Sequence, residues 1–210
     1  MKTLLVAGGS PDFWPVFGEF ERYVGIDRGA LYLLNHNLPL DLAVGDFDSL
    51  NEAERQRVFT GAKAVQRSVP EKDDTDTQLA LSQVFAEDPT AQVTLIGATG
   101  GRLDHLLANL WLALEPRFQP YLRQIRLEDS QNSLVYYGPG THEVQREAGM
   151  KYLAYCCLTP IPDLTLTESK YLLHKQKVQV PTSYASNEFV TEKAGFSFSE
   201  GVIALIQSRD

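Results

Sequence analysis

The first half of the chain alternates short apolar runs with segments of helical periodicity, and this alternation limits the possible folds more than any other feature. The apolar runs predict strands at Thr3–Ala7, Tyr23–Ile26, Leu42–Val44, Ala62–Gln66 and Gln92–Ile96. The segments between them predict helices at Arg28–Asn35, Asn51–Phe59, Thr75–Ala86 and Arg102–Leu114. Strands that alternate with helices form a parallel sheet with helices on both faces. We therefore predict an N-terminal Rossmann-like α/β domain.

A different pattern follows the Pro116–Pro120 region, where strand-like runs succeed one another without helices. These runs lie at Ile125–Glu128, Ser133–Tyr137, Lys151–Cys157, Leu164–Glu168, Lys177–Val180 and Val202–Gln207. Consecutive short strands separated by Gly and Pro turns are typical of a β-sandwich. The predicted fold class is thus α/β, with a parallel-sheet domain at residues 1–125 and a smaller all-β sandwich domain at residues 126–210.

Charge and composition limit the possible binding partners and the cellular compartment of the protein. The formal net charge of −8 disfavours nucleic acid and anionic membranes, because both require clustered Lys and Arg. No apolar stretch approaches the ~20 residues of a membrane span, and the run Lys2–Val6 is too short for a signal peptide. The adjacent Cys156 and Cys157 lie in a predicted strand, where their side chains point to opposite faces, so no disulfide is expected. We expect a cytoplasmic protein.

Three acidic motifs lie where predicted strands lead into predicted helices, at the sheet edge where ligands bind. The first, Gly45–Ser49, carries Asp46 and Asp48 two residues apart. In extended backbone both side chains point the same way, so both could reach one Mg²⁺ that carries phosphate oxygens. The alternative is a turn in which Asp48 and Ser49 cap the next helix, with Glu52 completing a capping box. Phosphatases and glycosyltransferases share this DxD pattern.

The second motif, Glu71–Asp76, contains three carboxylates. Acidic residues in a first helical turn are stabilised by the macrodipole, by ~0.3–1 kcal/mol each. Asp73 or Asp74 could also cap the helix, but capping explains one or two of these residues rather than all three. Lys72 beside them suits a phosphate contact as a point charge.

The third motif, Gly100–His105, joins a glycine pair to a helix start, which lets backbone N–H groups approach a phosphate closely. Arg102 could bind a phosphate through two parallel hydrogen bonds. The alternative is an exposed Arg102–Asp104 pair, which would contribute little.

Helical spacing after this motif predicts one buried leucine stripe, which consists of Leu103, Leu106, Leu107 and Leu110. The same spacing places Arg102, His105 and Asn109 together on a different face of the helix. We expect that face to look into a cleft.

The order and spacing of the three motifs, with Gly25–Ala30 after the second strand and Ser186–Phe189 in the β-rich tail, resemble the thiamine pyrophosphokinase family. The resemblance covers most of the chain, including the change from α/β to β near residue 120. Members of that family transfer a pyrophosphoryl group from ATP to the hydroxyl of thiamine and release AMP. They are described as homodimers whose active sites lie between the α/β domain of one subunit and the β domain of the other.

The resemblance implies a role for each matching residue. Mg²⁺ on the triphosphate would be held by Asp46, Asp48 and Asp76. The other catalytic positions in the cleft would be Asp73, Arg102 and Asp104. The nucleotide would also contact Asp27, Arg28, Lys72, Thr75, Gly100, Gly101 and His105. Ser186 and Asn187 match the segment that helps to receive the thiamine pyrimidine.

The residues alone leave two other functions open. A Mg²⁺-dependent phosphatase or nucleotide hydrolase would use Asp46 as its nucleophile and release inorganic phosphate. A sensor without enzymatic activity would bind nucleotide or thiamine and not turn them over. For the transfer reaction, Asp73 or Asp104 could accept the proton of the thiamine hydroxyl, and spacing alone does not choose between them.

Overall fold

The structure is a computed structural model that describes residues 1–68 and 73–210. It divides into two compact units. The first unit consists of Met1–Leu112 and Gln124–Ser130, and the second of Ala113–Arg123 and Gln131–Asp210. The chain therefore passes between the two units more than once.

The first unit contains a parallel sheet of six strands in the described residues. The strands are β1 Lys2–Val6, β2 Arg22–Ile26, β3 Leu42–Gly45, β4 Ala64–Arg67, β5 Gln92–Ile96 and β6 Ile125–Glu128. The helices are α1 Arg28–Asn35, α2 Glu52–Gly61, α3 Asp76–Glu87 and α4 Leu103–Trp111. The sheet order is β6-β5-β1-β2-β3-β4, and every pairing is parallel. The predicted α/β fold is confirmed.

Burial on both faces explains why the central strands are almost continuously apolar. Leu4, Leu5 and Val6 of β1 are all fully buried, as parallel strands between two helical layers require. One face of the sheet forms a core with residues of α1 and α2. Helix α3 packs on β2 and β3 through its own buried residues, which lie outside that core, so helices cover both faces.

Two predicted helix starts are displaced by a residue or two. Helix α2 is capped by Asn51, whose side chain accepts from the Glu54 N–H at 2.9 Å, rather than by Ser49 with Glu52. Helix α3 is capped by Thr75 in a reciprocal pair with Gln78 rather than by Asp73 or Asp74. In both cases the residue with extended backbone just before the first helical turn takes the cap, and several polar neighbours compete for that position.

Helix α4 contradicts the predicted leucine stripe. Leu103 and Leu107 are 74% and 42% exposed, and Trp111 at the end of the helix is 52% exposed. Asn109, predicted to face a cleft, is instead buried, and its side-chain amide donates to the Ala98 carbonyl at 2.9 Å. Periodicity shows that a helix has an apolar face but not what covers that face. We call Leu103, Leu107 and Trp111 the α4 apolar stripe.

The second unit is the predicted all-β sandwich, built from eight strands in the described residues. They are β7 Asn132–Tyr137, β8 Gly140–Gln145, β9 Tyr152–Cys157, β10 Ile161–Thr167, β11 Leu173–Val178, β12 Thr182–Glu188, β13 Lys193–Phe198 and β14 Ile203–Ser208. Antiparallel pairing gives the strand orders β12-β9-β14-β7 and β11-β10-β13-β8. Inward residues of both sheets form one core. Cys156 and Cys157 are both free thiols in β9.

Three strands of the sandwich, β8, β12 and β13, were not predicted, and β11 begins four residues before its predicted position. β8, β11 and β12 are edge strands within this unit and are largely exposed. Their sequences therefore lack the alternation of apolar and polar residues that marks a half-buried strand. β13 is central, but Gly195 interrupts its pattern. A side chain at Gly195 would clash with the Thr167 hydroxyl, 2.4 Å from the Cβ position.

None of the helices in the described part of the chain is both long enough and apolar enough to cross a membrane.

Candidate active site

The sheet order brings the predicted motifs to one edge of the first unit. From β1 the chain moves outward through β2, β3 and β4, and then returns to β5 and β6 on the other side of β1. Ligands of such sheets bind at the carboxyl edge where the direction of winding reverses. Here that point lies between β1 and β5, and the loops after them are joined because the Gly9 N–H donates to the Gly97 carbonyl at 2.8 Å. Two glycine-rich loops therefore flank the expected ligand crevice.

Asp27 lies at the centre of an acidic group on this edge. It follows β2 directly, has a left-handed backbone with φ 48°, and accepts a hydrogen bond from the Phe47 N–H at 3.1 Å. Burial and the neighbouring Asp76 charge raise the pKa of Asp27 to about 7, and the Asp46 charge adds to the effect. Asp27 also shares a hydrogen bond with Asp76, which requires a proton on one of the two carboxyl groups. A proton or a cation therefore stabilises this edge.

Gly45 and Phe47 allow the first motif to approach Asp27 so closely. A Cβ atom at Gly45, where φ is +147°, would lie only 2.0 Å from Asp27 Oδ1. Phe47 has φ 59° and a fully buried ring that packs edge-on against Phe59 at 5.2 Å between centroids. The buried ring anchors the loop, and the glycine leaves room for the carboxylate.

The three predicted metal ligands occupy different environments. Asp46 and Asp76 both act on the charge of Asp27, and Asp76 Oδ1 also accepts from the Ser68 hydroxyl at 2.8 Å. Asp48 is exposed, and its backbone N–H donates to Asp46 Oδ1 at 3.0 Å. Within residues 1–68 and 73–210, no three His, Cys, Asp or Glu side chains are already arranged to hold a metal ion.

The donor chemistry at this edge nevertheless fits Mg²⁺. The donors are carboxylate oxygens, and their crowding around Asp27 is relieved by positive charge. Mg²⁺ keeps several waters and binds substrate phosphates, so one or two carboxylates from the protein are sufficient.

In the third motif, the structure contains the exposed Arg102–Asp104 pair that the sequence analysis gave as an alternative to phosphate binding. Arg102 is the N-cap residue of α4, and its guanidinium donates to Asp104 through Nε at 3.1 Å and Nη2 at 2.5 Å. The hydrogen bond from Arg102 lowers the pKa of Asp104 to about 2. Both side chains are exposed, as is His105, so this pair is not locked into the protein. The preceding Gly100 and Gly101 have φ of 76° and 68°, with open space around their Cβ positions.

Two other predicted nucleotide contacts, Arg28 and Thr75, lie at the N-termini of helices near the carboxylates. Arg28 opens α1, and its guanidinium donates to the Ser49 carbonyl and lies 3.7 Å from Glu54. Thr75 caps α3, and Asp73 is exposed just before it. Lys72 lies outside the described residues.

Ser186 and Asn187, the predicted thiamine contacts, differ sharply from each other. Ser186 is exposed at a β-bulge in β12 with φ 59°. Asn187 is only 2% exposed, and its amide binds both the N–H and the carbonyl of Tyr171 at 2.9 and 2.8 Å. Asn187 also accepts from the Glu188 N–H at 2.9 Å and donates to Ser169 Oγ at 3.3 Å. Its side chain therefore holds the Ser169–Tyr171 segment in place.

Several residues that complete the site were missed by the sequence analysis. Ser68 donates to Asp76, and Thr99 in the glycine loop donates from Oγ1 to Asp129 Oδ2 at 2.6 Å. A serine, a threonine and an isolated aspartate carry no motif, so no sequence signal marks them.

Comparisons with known proteins give a consistent result. Residues 15–123 match the family model described as "Thiamin pyrophosphokinase, catalytic domain", and residues 141–203 match "Thiamin pyrophosphokinase, vitamin B1 binding domain". The chain is 34% identical to the thiamine pyrophosphokinase of Bacillus subtilis strain 168 over the full length of both. The crystal structure of a thiamin pyrophosphokinase family protein from Enterococcus faecalis is similar with a TM-score of 0.97, 58% identity and full coverage of both chains. Thiamin pyrophosphokinase from Candida albicans, at 14% identity, shares the fold, with a TM-score of 0.75 over 99% of this chain and 89% of that one.

Proposed function

The chain belongs to the thiamine pyrophosphokinase family, and from that premise we propose that it transfers the pyrophosphoryl group of ATP to the hydroxyl of thiamine, giving thiamine diphosphate and AMP. The first unit supplies the carboxylates and the glycine loops, and the second contains the segment that matches the vitamin B1 binding model. We assign nucleotide binding and transfer to residues 1–125, and thiamine binding and dimerisation to residues 126–210.

The crowding of Asp27, Asp46 and Asp76 beside the glycine loops is the observation that carries this proposal. Transfer of a phosphoryl-type group needs little covalent work from the protein, because catalysis consists mostly of positioning and charge neutralisation. Surplus negative charge at the carboxyl edge supports the binding of a cation together with a polyphosphate. Thiamine is itself a cation, so an acidic edge also attracts the acceptor.

We assign Mg²⁺ binding to Asp46, Asp48 and Asp76. When bound, Mg²⁺ would neutralise charge on the phosphate oxygens. Arg102 is exposed and has a planar fork of N–H donors, so it can exchange Asp104 for a phosphate group of similar geometry. Gly100 and Gly101 leave their backbone open to the same phosphates.

The hydroxyl oxygen of thiamine attacks the β-phosphorus of ATP, the bond from that phosphorus to the α-phosphate oxygen breaks, and AMP leaves. The hydroxyl proton needs an acceptor in the protein. We propose Asp73 or Asp104 as this acceptor, because both are exposed carboxylates near the helix starts.

Incubation of the purified protein with ATP, Mg²⁺ and thiamine tests the proposed function. AMP and thiamine diphosphate should form in equal amounts, and AMP should not form without thiamine. A phosphatase would release inorganic phosphate without an acceptor, and a sensor would bind its ligand and form no product. Asp76→Asn should be inactive, whereas Glu19→Gln, which removes an exposed carboxylate just before β2, should match the wild type.

We also propose that the protein works as a homodimer in the cytoplasm. The α4 apolar stripe supports this proposal, because three large apolar side chains exposed along one helix are typical of an interaction surface. Light scattering should give twice the 23.4 kDa mass of the chain. If each site uses both subunits, mixing inactive Asp46→Asn and Ser186→Ala chains should restore part of the activity, whereas either variant alone should stay inactive.

A further inference from the structure

We propose that Asp129 is a positioning residue that fixes the Gly97–Gly101 loop for the triphosphate of ATP. The inference rests on the proposed function and adds to it a residue outside all three sequence motifs. Asp129 immediately follows β6, which pairs in parallel with β5 so that Ile96 lies opposite Glu128. The loop after β5 and the residue after β6 therefore leave the sheet side by side.

Two consecutive residues of the loop are held from two different elements. Thr99 Oγ1 donates to Asp129 Oδ2 at 2.6 Å, a distance typical of a strong hydrogen bond to a carboxylate. The carbonyl of Ala98 accepts from the buried amide of Asn109 on α4 at 2.9 Å. A third contact joins Gly97 to the loop after β1, through the Gly9 N–H.

The loop needs such contacts because of its composition. Gly97, Gly100 and Gly101 all have positive φ, and glycine loses more conformational freedom on folding than any other residue. Apart from their own chain neighbours, no atom of the described residues lies within 4 Å of the Cβ positions of Gly100 and Gly101. Crowding therefore does not hold these two residues, and their placement depends on Ala98 and Thr99 immediately before them.

The two residues after β6 contact both loops, which follow the strands β1 and β5 between which the sheet reverses its winding. While Asp129 holds Thr99, the N–H of the next residue, Ser130, donates to the Phe13 carbonyl in the segment after β1. The two loops flank the expected crevice, so the adjacent residues Asp129 and Ser130 help to set the distance between them. Loss of the Asp129 contact should displace the Gly100–Gly101 turn and leave the carboxylates of Asp27 and Asp76 unaffected.

The test compares four variants by steady-state kinetics for ATP and for thiamine. Asp129→Ala and Thr99→Val each remove the same bond and should each lower kcat/KM for ATP by about 10-fold to 100-fold, with KM for thiamine unchanged. Asp129→Asn keeps an acceptor oxygen for Thr99 and should recover activity to within about threefold of the wild type. The double variant Asp129→Ala with Thr99→Val should be no worse than the more impaired single variant, because both substitutions remove the same hydrogen bond.

Opposite results would overturn the proposal. If Asp129→Asn is as impaired as Asp129→Ala while Thr99→Val is nearly normal, Asp129 acts by its charge on substrate or metal. If the two single losses multiply in the double variant, the residues act independently. Binding of a non-hydrolysable ATP analogue, measured by calorimetry, separates this proposal from the proposed function. A wild type without turnover would refute the transfer activity alone, and unaltered analogue binding by Thr99→Val would refute the positioning role.

Discussion

Replacing Asp27 by Asn should stabilise the metal-free protein at high pH. In the folded protein the Asp27 carboxyl is harder to ionise than in the unfolded chain, so its ionisation costs stability. The folded protein raises the pKa of Asp27 from 3.8 to about 7, mainly through burial and the Asp76 charge. The folded state therefore binds the proton more tightly than the unfolded state. This contribution to stability is complete below about pH 4 and is lost as the pH rises through about 7.

The size of the effect follows from the same shift. A pKa that moves from 3.8 to about 7 corresponds to about 4 kcal/mol, at ~1.4 kcal/mol for each pH unit. Because Asp27 is half-buried, solvent screening reduces this free energy, and we expect a difference in unfolding free energy of about 2 kcal/mol. Asn has the same shape, can still accept from the Phe47 N–H and can donate to Asp76, so both contacts survive. The variant should match the wild type near pH 4 and exceed it by about 2 kcal/mol near pH 8.5.

Urea unfolding in the presence of a chelator, repeated across this pH range, measures the difference directly. Glu19→Gln serves as a control because it removes an exposed carboxylate from the same unit. Millimolar Mg²⁺ should then stabilise the wild type more than Asp27→Asn near pH 8.5. A difference between Asp27→Asn and the wild type that stays flat from pH 4 to 8.5 would refute the acidic crowding on which the metal assignment depends.

Three further predictions concern other parts of the molecule. Gly45→Ala should destabilise the first unit by about 2 kcal/mol or more in urea unfolding, because its Cβ would lie 2.0 Å from Asp27 Oδ1. Gly18→Ala, with open space around it, should be within ~0.5 kcal/mol of the wild type. Asn187→Ala should destabilise the sandwich by about 2–3 kcal/mol, because it removes the acceptor of the buried Tyr171 N–H. A thermal transition unchanged from that of the wild type would contradict this. Arg102→Lys should lower kcat much more than it raises KM for ATP, and a wild-type kcat would remove Arg102 from the site.

The fold was largely predictable because its strongest signal is local. Apolar runs such as β1 and β5 are buried on both faces, and their separation by amphipathic helices leaves few topologies. The missed strands show the limit of that signal. β8 and β12 are largely exposed and polar, so what makes them strands is pairing with β13 and β9, which no local pattern displays.

The residues of the candidate site are visible in the sequence as motifs, whereas their geometry is not. The position of Asp46 after a strand is visible in the sequence, whereas its proximity to Asp27 and Asp76 depends on how β2, β3 and β4 are ordered. The sequence also did not distinguish Ser186 from Asn187, although one is exposed and the other is buried with all its hydrogen bonds made within the protein. Burial depends on the tertiary structure, and a short motif carries no information about it.

The placement of β1 in the middle of its sheet has a consequence for synthesis of the protein. β1 is made before the other strands of this sheet, yet one of its two neighbours is β5, with Lys2 opposite Gln92. While the intervening residues are translated, the edge of β1 that will pair with β5 has no partner in the nascent chain. Unpaired strand edges bind other chains, and contacts between residues this far apart in sequence form slowly. We therefore expect nascent chains of this protein to aggregate most readily before β5 emerges from the ribosome.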